Sequence, residues 1–598
     1  MQAALYGRIT GAVSRAAVEA HAVGTVVRAG MVPLDSTLPA ALRAMTAYGP
    51  IGGGITAAAL RFGDRVGLID ELGSLTFAEL DRRSNALADA WRQRGIGAGT
   101  GVGILCRNHR GFLDATFACA KSGARALYLN TDFSGPQATQ VCAREGVQAL
   151  VYDAEFESVV ADIDSPLGRF LAWTDDPAFA SPEGGGVASA QDEGIASTGS
   201  EAVASTEGDA VASTERESVA WTDAASPCAD EAVADVERLE ALIAVGDPGT
   251  LTPPAKPGSV IMLTSGTTGT PKGAPRPQPK SFALPAMILG NVPLRGGHGV
   301  YIAPPMFHAW GFLGSVLGIG VGATLVTKRR FDPVHMLDAV AAHDCRTWWV
   351  IPVMLKRILD LGDAELRWHD VSGLRAIAAS GAQLEGALAR RTAARFGDVL
   401  YNFYGSTECG YAAIGGPEDL LAAPGCAGRP PFGVSVRILD ADGHELPQGE
   451  KGRIFVGNTV QFTGYTGGGM KEIVDGRMSS GDVGHFDSAG RLFVDGRDDD
   501  MIVSGGENVF PQEVEELLAA HPDIADAAVI GIDDPDFGKA LRAFVVRRPD
   551  VTLDADSVRT HVRANLARYK VPRTVTFLDE LPRNPSGKVL KRTLREWD

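Results

Sequence analysis

Cysteine is scarce, seven in 598 residues, and no pair is spaced C-x-x-C or in another metal-binding pattern. That excludes a zinc ribbon or a disulfide-stapled scaffold and predicts reduced thiols in a cytoplasmic chain. Basic residues are outnumbered, 56 Lys and Arg against 73 Asp and Glu, for a formal net charge of −17, the wrong sign for a nucleic-acid ligand. The first 34 residues lack the apolar core and small-residue cleavage site of a secretory signal. They carry Arg8, Arg15 and Arg28 against Glu19 in a loosely amphipathic pattern, which predicts a packed helix, with peripheral membrane contact as the other reading. Residues 310–327 carry no charge, but five glycines and a β-branched end predict a buried helix and then a strand rather than a membrane span. What is present, 45% hydrophobic and 22% charged residues, is ordinary for a globular chain of roughly three to four domain-sized units.

The charge is unevenly distributed. Residues 171–236 hold fourteen Asp and Glu against Arg216 alone, so most of the net charge lies there. The segment repeats every eight residues, with Leu171-Ala-Trp-Thr at its start, Val203-Ala-Ser-Thr and Val211-Ala-Ser-Thr within it, and Val219-Ala-Trp-Thr near its end. One apolar residue in eight fits neither helix nor strand and buries too little surface to offset chain entropy. These residues therefore read as a disordered insertion, with Trp173 and Trp221 as copies of one ancestral position.

The densest chemistry lies at 264–273, Thr-Ser-Gly-Thr-Thr-Gly-Thr-Pro-Lys-Gly, directly after the apolar run Val260-Ile-Met-Leu263. Glycines let backbone N–H groups approach an anion, and hydroxyls and Lys272 add donors. Two residues separate Gly269 from Lys272, and Gly273 stands where a Walker A motif has Ser or Thr, so this is a phosphate cradle of another kind. Further strand-like runs follow at 300–303, 347–351, 374–379 and 399–403, alternating with helix-like stretches as in an α/β sheet. Segments Pro304–His308, Ser380–Ala382 and Tyr404–Glu408 each follow such a run. Ligands bind at the carboxyl ends of parallel strands, which predicts that these segments converge on one crevice.

Together they resemble the adenylate-forming superfamily of acyl-CoA synthetases, firefly luciferase and nonribosomal-peptide adenylation domains. The phosphate loop is similar to 264–273 and the second signature to Tyr404-Gly-Ser-Thr-Glu408. The aspartate signature is similar to Ser480-Gly-Asp482, the hinge segment to Gly496-Arg-Asp-Asp499, and the terminal lysine signature to Pro585-Ser-Gly-Lys588. Met501–Pro511 and Tyr569–Arg573 resemble bacterial medium- and long-chain fatty acyl-CoA synthetases most. The resemblance implies an α/β fold with a large N-terminal domain, 1–497, of stacked helix–sheet layers and a small β-barrel part. It also implies a small mobile α+β C-terminal domain, 498–598, with strands near 527–531 and 542–546 and a helix near 557–567.

The implied activity is ATP-dependent formation of an acyl-adenylate with release of pyrophosphate, then transfer of the acyl group to coenzyme A. Thr264, Ser265, Gly266, Thr267, Thr268, Gly269 and Lys272 would cradle the β- and γ-phosphates. Thr407 would touch the α-phosphate and Glu408 would ligate Mg²⁺. Gly381, Ala382 and Tyr404 would frame the adenine, and Asp482, with Arg497, would hold the ribose. Lys588 would bridge the attacking carboxylate and the α-phosphate. Asp499 would be the hinge, and Gly505 and Gly506 would line the pantetheine tunnel. His308 and Trp310 belong to the acyl pocket, His308 as an aromatic gate. At Gly405, where acetate-activating relatives have tryptophan, the carboxylate pocket would be open. Trp310, Phe312 and Leu313 are apolar with no charged residue among them, so the expected acid is a fatty acid, with an aryl acid as runner-up. The alternative activity is loading a separate carrier protein. Arg453, where relatives often have Glu, departs from the pattern without touching these roles. Monomer and homodimer are equally compatible with the sequence.

Overall fold

The apolar runs form strands, but in two sheets rather than one. The computed structural model describes residues 15–175 and 236–597, apart from 265–271, 277–280, 383, 385, 463, 467, 498–501, 505, 510, 520, 550, 583–588 and 590. A seven-stranded sheet runs in the order Glu237–Arg238, Arg169–Trp173, Val147–Asp153, Gly101–Leu105, Arg125–Tyr128, Ser259–Thr264, Lys272–Arg276. Only its last pair, the hairpin that carries the glycine loop, is antiparallel. The other four runs lie side by side in an eight-stranded sheet as Leu400–Ser406, Ala376–Ala379, Cys345–Val350 and Gly299–Ile302. Thr324–Val326, Val66–Asp70 and Gly73–Thr76 continue this sheet, and Gly410–Gly415 forms its other edge. Parallel strands covered on both faces read as unbroken apolar runs. Such runs reveal strands without revealing their sheets.

The carboxyl ends of the two sheets are tied by side chains, Asn108 and the Arg110–Asp70 pair among them. Asn108, just after Gly101–Leu105, donates from Nδ2 to the Pro304 carbonyl at 2.9 Å, and its Oδ1 accepts the Met306 N–H at 2.7 Å. The uncharged stretch forms the helix Ala309–Val321 and the strand Thr324–Val326, as expected. Near that helix packs Leu38–Phe62, kinked where Gly49 takes φ 71° ahead of Pro50, which has no N–H to continue the ladder. The N-terminal helix Arg15–Arg28 is packed through Val18, Ala22 and Val26. No described helix is long and apolar enough to cross a membrane.

The strands of the expected barrel part form a five-stranded antiparallel sheet of Ser435–Leu439, Gly452–Gly457, Ile473–Val474, Arg477–Phe486 and Leu492–Arg497. A smaller α+β domain follows. Its hairpin Ile502–Ser504/Glu507–Val509 precedes a three-stranded sheet, Ile524–Asp534, Gly538–Arg547 and Thr574–Leu578. Helices Pro511–Ala519 and Ala555–Asn565 close its core around Val514, Leu518, Val529, Val545 and Val562. The whole is the large N-terminal domain and smaller C-terminal domain that the sequence implied.

One boundary needs correction. Leu171–Thr174, counted as the first repeat copy, instead supplies most of the strand Arg169–Trp173. Trp173 is buried beside His109, ring centroids 5.1 Å apart, with the Arg329 guanidinium 4.6 Å from its ring. The later copies, Trp221 included, lie outside the described residues.

Candidate active site

A cavity of about 1880 Å³ is shared by the ends of both sheets, the N-terminal helices and the C-terminal domain. Its polar part is lined by Lys272, Ser380, Gly381, Ala382, Tyr404 to Glu408 and Asp482, so the predicted convergence is found. The apolar part is lined by Tyr128, Trp310, Phe312, Leu313 and the kinked helix.

At the polar end each group is held by another. The Tyr404 hydroxyl donates to Asp482 Oδ2 at 2.5 Å, and Ser480 Oγ lies 3.1 Å from the same hydroxyl oxygen. Burial, then the Asp482 carboxylate, holds the Tyr404 phenol well above its ordinary value, so it remains a donor. The backbone of Asp482 is paired in register with that of Arg497 across the antiparallel strands. Gly381 takes φ +89°, letting the chain turn sharply after Ala376–Ala379, and the Ser380 hydroxyl fixes that turn by donating to the Phe403 carbonyl at 2.9 Å.

Glu408 is nearly buried, and its Oε1 accepts from the Tyr465 hydroxyl at 2.9 Å. Lys272 Nζ lies 5.3 Å from the centroid of the same Tyr465 ring. Beside it, Thr466 donates its N–H to the Gly273 carbonyl at 2.9 Å and its hydroxyl to Glu145 Oε1 at 2.8 Å. Tyr465 and Thr466 thus join the base of the phosphate loop to Glu408. Sequence reasoning missed both, because a tyrosine in a Gly-rich turn carries no pattern. The clusters of three metal-ligating side chains among the described residues, Cys106/His109/Asp153 and Asp440/Asp442/His444, lie elsewhere. Cys106 is held well above its ordinary pKa by burial and then by Asp153, which keeps it a thiol. Glu408 offers a single carboxylate, a donor suited to Mg²⁺, which keeps water and borrows phosphate oxygens.

At the junction with the apolar part, His308 Nε2 meets Glu507 Oε1 at 2.5 Å, and Asn130 donates to Glu507 Oε2 at 3.4 Å. Burial acts to lower the His308 pKa, but the Glu507 charge and hydrogen bond prevail and raise it, with Asp132 adding. Asp132 is itself raised, by burial and then by Glu507. Glu507 was overlooked although it lies within the quoted segment Met501–Pro511. Gly506, one residue earlier, lines the cavity; a Cβ there would lie 3.6 Å from the Gly381 carbonyl.

Trp310 stacks on Trp349 with centroids 4.3 Å apart, and each indole N–H bonds a carbonyl beside the other ring: Trp310 to Val350 at 2.9 Å, Trp349 to Trp310 at 2.8 Å. This wall is rigid. The expectation for Gly405 needs revision: a Cβ there would lie 2.3 Å from the Gly410 carbonyl oxygen. The glycine serves the close crossing of Leu400–Ser406 and Gly410–Gly415 and at the same time lines the cavity. Arg453 pairs with Glu472, away from the roles assigned above. Ser265, Gly266, Thr267, Thr268, Gly269, Asp499, Gly505 and Lys588 lie outside the described residues, as do the side chains of Thr264 and Arg497.

Residues 55–466 match the family model described as AMP-binding enzyme, and 513–588 match that of the AMP-binding enzyme C-terminal domain. An indoleacetate–CoA ligase of Aromatoleum aromaticum is 32% identical over 90% of this chain and 94% of its own. A fatty acid–[acyl-carrier-protein] ligase of Streptomyces coeruleorubidus is 29% identical over 88% and 91%. Among solved structures, an amide bond synthetase from Marinactinospora thermotolerans superposes with a TM-score of 0.72 at 25% identity, covering 92% of this chain and 99% of the other.

Proposed function

The chain belongs to the AMP-binding enzyme family, and on that premise we propose that it is an acid–CoA ligase that activates an apolar carboxylic acid, a fatty acid before an aryl acid. The observation that carries this reading is one continuous cavity of about 1880 Å³, lined by polar residues at one end and apolar ones at the other. An acid oxygen attacks the α-phosphorus of ATP, the bond to the β-phosphate breaks, and pyrophosphate leaves. Lys272 and the residues from Thr264 onward hold the leaving phosphates, and Thr407 and Lys588 meet the charge that develops at the α-phosphate. Glu408, steadied by Tyr465, would hold Mg²⁺, which neutralises phosphate charge when bound. Tyr404 and Asp482 orient the nucleoside. In the second step the thiolate of coenzyme A attacks the acyl carbonyl and AMP leaves.

The C-terminal domain, 498–598, is read as the moving part, with its hinge at Asp499. The contact of Glu507 with His308 and the position of Gly506 in the cavity wall support a role of this hairpin beside the acyl carbon in thioester formation. The test is a panel of acids with ATP, magnesium and coenzyme A. The expected products are AMP, pyrophosphate and acyl-CoA; ADP would overturn the reading. AMP release with acylation of a phosphopantetheinyl carrier and none of free coenzyme A would favour the carrier-loading alternative, which the fatty acid–[acyl-carrier-protein] ligase similarity keeps in view.

A further inference from the structure

We propose that Gly54 sets the size of the acyl group this cavity admits, and that the acid is one whose apolar body runs on past the helix Leu38–Phe62. The inference rests on the acid-activating reading and deepens it.

Three consecutive glycines, Gly52, Gly53 and Gly54, sit inside that helix, each costing about 1 kcal/mol relative to alanine. Packing accounts for two. A Cβ on Gly52 would lie 3.1 Å from Ala120, Lys121 and Tyr48 side-chain atoms, and one on Gly53 only 2.4 Å from the Ala44 carbonyl across the kink. A Cβ on Gly54 would meet nothing within 4 Å, and the residue has no positive φ to require glycine. Its position explains the vacancy: Gly54 lines the cavity with Ile51, Ile55 and Ala58, all on one helical face. Leu313 and Val316 of the neighbouring helix Ala309–Val321 line it too.

Cavity-lining positions on the kinked helix run from Leu38 to Arg61, and those beyond the kink, Pro50 to Arg61, span about 16 Å at the helical rise. The charged residues there are already engaged. Arg61 donates to the Met31 and Gly30 carbonyls at 3.0 and 2.8 Å, and Glu19 accepts from the Ser281 hydroxyl at 2.9 Å. Around Gly54 itself the wall is apolar, with Ile51, Ile55 and Ala58 on its own helix and Leu313 and Val316 on the next. A side chain at position 54 would project into that space.

The experiment compares wild type with Gly54→Ala and Gly54→Phe over straight-chain acids from short to long, scored by acid-dependent exchange of pyrophosphate into ATP. For Gly54→Phe, kcat/KM should fall about 10- to 200-fold for long acids, the scale of a misfitting apolar pocket, and be unchanged for short ones. Gly54→Ala should fall between, with a melting temperature at or above wild type. The same length profile in all three proteins, or an equal loss at every length in a Gly54→Phe protein of native melting temperature, would overturn the proposal. Absence of exchange by wild type with every acid would instead remove the acid-activating reading beneath it.

Discussion

The two ends of the cavity are built on different principles. At the nucleotide end, groups are matched to a fixed chemical object: Tyr404 to Asp482, Tyr465 to Glu408, Thr466 to Glu145, each at hydrogen-bond distance. At the acyl end, the kinked helix and Ala309–Val321 present apolar surface whose only specification is shape. Directional bonds restrict sequence; apolar walls restrict volume and tolerate exchange of one residue for another. On the proposed reading, chemistry is fixed at one end while substrate choice is free to drift at the other.

Experiments that separate the ends follow, in order of expected effect. Lys588→Ala should slow adenylation about 10²- to 10³-fold, the scale of one oriented donor, and slow thioester formation from supplied acyl-adenylate much less. Equal losses in both half-reactions would remove the assigned role. Gly405→Trp tests whether that position belongs to packing or to the acid site. With the Gly410 carbonyl 2.3 Å from a Cβ, overpacking should cost about 1–3 kcal/mol or more, seen as a lower melting temperature and loss of exchange with acids of every length. A variant of native stability that had turned to acetate would restore the pocket role.

Tyr465→Phe removes one hydrogen bond to a carboxylate, worth about 1.5–3 kcal/mol. The KM for magnesium-ATP should rise roughly tenfold or more while the acid profile stays fixed; a changed acid profile would blur the division between the two ends. The smallest effect concerns pH. The raised pKa of His308 means that its pairing with Glu507 is fully stabilising below the ordinary imidazole value of about 6.5 and is lost as pH rises through the raised value. Glu507→Gln should lower the His308 titration midpoint followed by NMR, and an unmoved midpoint would show that the pair is not coupled.

The same asymmetry governs what the sequence disclosed. Lys272 could be picked out from the glycines and hydroxyls of its loop, and Tyr404, Glu408 and Asp482 through the resemblance of their segments to family signatures, and the cavity gathers all four. Strand runs such as Val300–Ile302 and Trp348–Val350 were visible through their uniform apolarity, yet nothing in them tells that Ser259–Thr264 joins another sheet. Asn108, Tyr465 and Glu145 act through partners 57 to 321 positions away, Tyr465 with Glu408 at one extreme and Glu145 with Thr466 at the other, and no local pattern announces such a bond. Trp173 was misassigned because its tetrapeptide imitates the repeat while its burial belongs to the sheet. Nothing local to Gly52–Gly54 tells that Gly54 lines a cavity.

The tight crossing at Gly405 also limits descent from this chain. A lineage seeking smaller acids could not arrive by one substitution there, since any side chain must first displace the turn at Gly410. A change at Gly54 meets no such barrier, since a Cβ there has nothing within 4 Å, so paralogues with new substrates should differ first at that position and only later in the strand beside Gly410.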